Sequence, residues 1–85
     1  MKIVVIDDHL IVREGLAALL MQAQPGTVIV HACDAAEGLA KAESESSLDA
    51  AFLDLNLSGA SAMSAIREFT MRCPSLPVII LSSSE

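Results

Sequence analysis

Four short apolar runs alternate with three longer stretches in which apolar side chains recur every three or four residues. Lys2 to Ile6 (KIVVI) is a continuous β-branched run, the signature of a strand covered on both faces, as in a parallel sheet. Asp7 and Asp8 stop it. From Leu10 to Gln24 the spacing predicts a helix with Val12, Leu16, Leu19 and Ala23 as its inward stripe, and Arg13, Glu14 and Gln24 off it. Gly15 costs this helix roughly 1 kcal/mol relative to Ala, so packing must hold it. Pro25-Gly26 ends it. Thr27 to Ala32 (TVIVHA) predicts a second strand. Asp34, with Glu37 three residues on, is a capping-box pattern opening a second helix. That helix carries Ala35, Leu39 and Ala42 inward and fades through Glu43 to Ser47. Ala50 to Leu53 (AAFL) predicts a third strand, with Asp54 directly after it. Asn56 to Ala60 reads as a loop pivoting on Gly59. Ala62 to Arg72 predicts a third helix, with Met63, Ile66, Phe69 and Cys73 near one face. Pro74 and Pro77 bracket the next loop, and Val78 to Leu81 (VIIL) predicts a fourth strand, followed by Ser82.

The resulting order, β-α-β-α-β-α-β, calls for parallel strands joined by right-handed helical crossovers. In such a sheet ligands gather outside the carboxyl ends of the strands. Asp7 and Asp8 stand at the end of the first strand and Asp54 at the end of the third, so three carboxylates are expected to converge. Like charges at that range repel unless a cation joins them. Hard oxygen donors around an incomplete coordination sphere suit Mg²⁺, which shares its remaining positions with water or phosphate. The constellation therefore makes sense as a phosphoryl-transfer site, with one carboxylate as nucleophile and Ser82, after the fourth strand, donating a hydrogen bond.

Composition narrows the partners. The 85 residues fit one small domain, and hydrophobic residues at 53% allow a core. Aromatics at 2% force that core to be built from Val, Ile, Leu, Ala and Met. A net charge of −6, five scattered basic residues and no Trp or Tyr argue against a nucleic-acid surface. No apolar run approaches the roughly 18–20 residues that span a bilayer. Cys33 and Cys73 lack metal-site companions, and the N-terminus lacks an export signal. The expectation is two reduced, mostly buried thiols in a cytoplasmic protein. His9 is expected to be a loop histidine rather than a metal ligand, and His31 a surface or half-buried residue.

Ile6-Asp7-Asp8-His9, continued as Val12-Arg13-Glu14-Gly15-Leu16, resembles the receiver domains of two-component response regulators, in particular the NarL/FixJ branch. Asp54, Gly59 and the hydroxyl after Val78 to Leu81 are in register with that family, and the resemblance covers the chain from first strand to fourth. It implies a flavodoxin-like parallel sheet, and it implies roles. Asp54 would be the phosphoacceptor. Asp8 would bind Mg²⁺ directly and Asp7 partly through water. Asn56 would offer its backbone carbonyl to the metal, and Ser82 would be the switch hydroxyl. The phosphoryl donor would be a histidine kinase or a small acyl phosphate, and the longer protein a transcription regulator.

Two departures stand out. Ser58 replaces the proline usual before the loop glycine. A whole receiver also has a fifth strand, ending in a lysine that pairs with the phosphoryl group, and two further helices. The sequence ends before them, and neither Lys2 nor Lys41 matches that lysine. The expectation is thus a receiver domain over residues 1–85, truncated after the fourth strand, with impaired phosphorylation. Self-association through the open sheet edge or the exposed face of the first helix is also expected. Two other functions compete. One is an inert packing or dimerisation module in which the acids are relics. The other is a phosphohydrolase of the haloacid dehalogenase kind, which wants a second Asp where Asn56 stands. On this reading the chain is a signalling domain and not an enzyme.

Overall fold

A computed structural model describes residues 1–45, 47–54 and 62–81. Strand β1 spans Lys2–Ile6, helix α1 Leu10–Ala23, β2 Val28–Ala32, α2 Ala35–Ser44, β3 Ala50–Asp54, α3 Ala62–Arg72 and β4 Val78–Leu81. All pairings are parallel, and the sheet order is β2-β1-β3-β4. This is the α/β, flavodoxin-like arrangement of four strands and three helices that the sequence predicts.

Alternation along the strands sorts the sheet into two faces. Val4, Ile6, Ala51 and Leu53 point to one side, where they pack with Leu39 of α2 and Ala65 and Phe69 of α3. Ile3 and Val5 point to the other side and are also buried. Helix α1 lies there, against β1 and β2. With a single large ring, Phe69, fully buried, the core rests mainly on aliphatic side chains, as the composition demands.

The helix faces depart from the predicted ones. In α1 the buried side runs through Arg13, Leu16, Ala17 and Leu20. Val12, Leu19 and Ala23 are exposed, Leu19 to 64% and neighbouring Ile11 to 84%. The helix is apolar over most of its girth, so the periodicity fits more than one face. What settles the rotation is the polar contact of Arg13 with the sheet end described below. In α3 Met63 is 64% exposed, and Ala65 takes the buried place beside Phe69, with Ile66 and Cys73 half-buried. Ala65 to Phe69 is a step of four, which sets both on the face of α3 that packs into the core.

The turns explain the element ends. Gly26 takes a left-handed φ of 92° after Pro25, where a side chain would be strained. Thr27 is not yet strand: its N–H and Oγ1 both bond the Gln24 carbonyl, at 3.2 and 2.6 Å, closing the turn before β2. Asp34 caps α2 as predicted, its Oδ1 accepting from the Glu37 N–H at 2.8 Å. The return bond is displaced by one residue, because the Glu37 carboxylate accepts from the Cys33 N–H at 2.8 Å. Cys33 is exposed rather than buried, and Cys73 half-buried; neither forms a disulfide.

Candidate metal and phosphoryl site

The site is assembled by the pairing of β1 with β3. Ile6 stands beside Leu53 in that register, so Asp7, the next residue after β1, emerges beside Asp54, the last residue of β3. Both are buried, at 5% and 6% exposure. Asp8 is half-buried and His9 opens α1. Asp7, Asp8, His9 and Asp54 each offer a ligand atom, and these four atoms lie within 4.8 Å of one another.

Local bonding holds the acids in place. The Asp7 N–H continues the sheet by donating to the Ala32 carbonyl at 3.1 Å. Its Oδ1 accepts from the His9 N–H at 2.8 Å, an Asx-type turn that folds the chain into α1. The His9 Nδ1 lies 2.9 Å from Asp8 Oδ1 and 3.4 Å from Asp7 Oδ1. Arg13 reaches in from the next turn, its Nη1 donating to the Asp7 carbonyl at 2.7 Å.

The structure thus brings together Asp7, Asp8 and Asp54. Asn56 and Ser82, along with Ser58 and Gly59, lie outside the described residues. Arg13 is the member to which sequence reasoning gave no place at the site, whereas His9 was weighed there and expected to be a loop histidine. His9 lies in the loop directly after the acid pair, as expected, and caps α1, while Arg13 was placed off the apolar stripe of α1. The signal for Arg13 was its place in the first turn of α1, the helix that follows the acids. Of the two lysines, Lys2 pairs with Glu45 at the far end of β1, and Lys41 with Glu37 on α2. Neither is at the site.

Three carboxylates and an imidazole form an oxygen-rich, strongly negative donor set at the mouth of a parallel sheet. That chemistry fits a hard divalent cation such as Mg²⁺. A second cluster of possible donors, Cys33, Asp34 and Glu37, is largely exposed and is accounted for by the cap of α2.

Comparison with known proteins agrees with this geometry. The family model described as "Response regulator receiver domain" matches residues 3–85. The transcriptional regulatory protein LiaR of Bacillus subtilis is 37% identical over 83 residues, covering 96% of this chain and 38% of LiaR. The chain spans 38–39% of the length of the curated relatives it matches. A receiver domain protein from Clostridium thermocellum superposes with a TM-score of 0.86 at 30% identity, covering 95% of this chain and 64% of that one. TrrA of Thermotoga maritima, solved with Mg²⁺-BeF, gives a TM-score of 0.87 at 27% identity, covering 99% and 70%. TrrA has also been solved in complex with the histidine kinase ThkA. No helix among the described residues is long and apolar enough to cross a membrane. An acid cluster built on adjacent parallel strands, in a chain matched by the family model over nearly its whole length, has one reading: the chain belongs to the response regulator receiver domains of two-component signalling.

Proposed function

We infer that residues 1–85 act as a single phosphoryl-accepting unit, with Asp54 as the acceptor. The observation that carries this is the convergence of Asp7, Asp8, His9 and Asp54 within 4.8 Å. In the transfer, a carboxylate oxygen of Asp54 forms a bond to phosphorus. The bond from phosphorus to the donor breaks, and its electron pair leaves with the donor, an acyl phosphate or the phosphohistidine of a kinase. Asp7, Asp8, Asp54 and the Asn56 carbonyl would hold Mg²⁺. The ion supplies positive charge where three carboxylates and the phosphoryl oxygens would otherwise repel. Ser82 would donate a hydroxyl hydrogen bond to the transferred group. TrrA, with its Mg²⁺-BeF complex and its kinase partner, supports the extension to this chain.

The role is signalling rather than turnover of a substrate. Regulation of transcription is proposed for the longer protein of which LiaR is an example, with segments other than this acidic one contacting DNA. Incubation with acetyl phosphate and Mg²⁺, followed by intact mass, tests the reading. The wild-type chain should gain a phosphoryl group on part of the molecules, in keeping with the impaired phosphorylation expected above, and Asp54→Asn or a chelator should abolish the gain. An unmodified wild type, with Mg²⁺ bound, would sink it.

A second reading rests on the exposed apolar residues of α1 and on β4, where Ile79 and Ile80 face solvent. On that reading the chain is an association module and the acids are relics. Mg²⁺-dependent shifts at Asp8 and Asp54 separate the two, since relics would show none.

A further inference from the structure

Helix α1 carries one basic residue, Arg13, and turns it toward the end of the sheet, half-buried. Its Nη1 donates to the Asp7 carbonyl at 2.7 Å, and its Nε donates to Nδ1 of His31 on β2 at 3.2 Å. His31 is held in turn from α2. Lys41 Nζ donates to the His31 carbonyl at 2.5 Å and pairs with Glu37 at 3.1 Å.

The carbonyl that Arg13 grips belongs to the peptide joining Asp7 to Asp8. A peptide unit is planar, so fixing the direction of its oxygen fixes ψ of Asp7 and φ of Asp8 together. Those two torsions help aim the two carboxylates. On its other side Asp7 is tied through its N–H to Ala32, the neighbour of His31. The acid pair therefore hangs from β2 by two ties, one direct and one running through Arg13.

The geometry points to Arg13, seated on His31, as the positioning residue that aims Asp7 and Asp8 at their cation without ligating it. This rests on the proposed function for the nature of the cation. Arginine suits the task because its rigid fork presents two donors at once to a carbonyl and an imidazole. A lysine ammonium is a point charge on a flexible stem and cannot hold both acceptors in that fixed geometry. His31 must accept at Nδ1, which places its ring proton on Nε2. Asparagine keeps an acceptor on the equivalent atom next to Cγ, and leucine does not.

Mg²⁺ titration, followed through the backbone amide resonances of Asp8 and His9, tests this in the wild type, R13A, R13K, H31L and H31N. Thermal melts without Mg²⁺ run alongside. R13A and R13K should bind Mg²⁺ about tenfold more weakly, the loss typical when a partner that orients metal ligands is removed. H31L should fall in the same direction and H31N should recover most of the loss. A merely structural Arg13 would lower the melting temperature and leave the Mg²⁺ affinity of the folded protein unchanged, and that result overturns the proposal. Where R13A fails to fold, H31L against H31N decides, because both keep Arg13.

If the wild type binds Mg²⁺ but takes no phosphoryl group on Asp54, the proposed function falls and the order of affinities still judges Arg13. If Mg²⁺ produces no shift at all, hydrogen exchange of the His9 amide, bonded to Asp7 Oδ1, replaces it. Faster exchange in R13A and H31L than in the wild type and H31N supports the role. Equal exchange overturns it.

Discussion

Glu37 shows how much one exposed side chain can organise. Its carboxylate accepts from the Cys33 N–H and pairs with Lys41. The Cys33 N–H first, then the Cys33 thiol and Lys41, bring its pKa down from 4.5 to about 2. The same contact raises the Cys33 thiol, because the carboxylate accepts the thiol proton and repels a thiolate. A carboxyl lowered in the folded state adds stability that is present above pH 4.5 and is lost as the pH falls through about 2. Urea midpoints measured across that window should fall with acidification in the wild type and fall less steeply in Glu37→Gln. An identical acid slope in the two would show the brace to be inert. The pairing of Asp34 with Glu37 was legible in the sequence, since a cap and an acid three residues later need no tertiary information. Its one-residue displacement onto Cys33 was not, because it depends on how β2 delivers the chain to α2.

The helices separate what a linear pattern can tell from what it cannot. Boundaries were readable to within a residue, because Pro25-Gly26, Asp34 and Pro74 act locally. Rotation about the helix axis was not readable in α1, where apolar residues fill most of the circumference and Arg13 turns inward to bond backbone. Two glycines convert this into opposite expectations. Gly15 lies on the exposed side with nothing within 4 Å of the place a Cβ would occupy. Gly15→Ala should therefore stabilise by about 1 kcal/mol through helix propensity. Gly38 lies where α2 crosses β1, and a Cβ there would come within 2.5 Å of Ile6 Cδ1 and 2.6 Å of Cγ1. Ile6 is fully buried in the core, so any shift it makes disturbs its packed neighbours. Gly38→Ala should destabilise by about 1–3 kcal/mol through overpacking. Chemical denaturation of the two variants checks both signs.

On the scale of the molecule, the sheet is covered unevenly. Among the described residues, helices α2 and α3 close one face, while the other has α1 alone, over β1 and β2. In the described residues β4 is an outer strand with Ile79 and Ile80 exposed, and α1 presents Ile11, Val12 and Leu19 to solvent. Apolar area of this kind drives association. The 85-residue chain is expected to self-associate with rising concentration in sedimentation velocity, and Ile11→Glu with Leu19→Glu should shift it toward monomer. A monodisperse wild type at high concentration would contradict this. The meeting of Asp7, Asp8 and Asp54 was readable from strand-end acids in a parallel sheet, whereas the strand order was implied only by the resemblance to receiver domains. Arg13 was missed because strand-end logic places acids and says nothing of what steadies them.

The two central strands that carry the acids are far apart in the chain and adjacent in the sheet. A partly folded species holding β1 against β2 alone would own Asp7 and Asp8 yet have nothing for them to face. The pocket comes into being only when β3 slides in next to β1 in the register that sets Leu53 beside Ile6. A slip of one position would turn Asp54 to the opposite face and dissolve the pocket while leaving every strand intact.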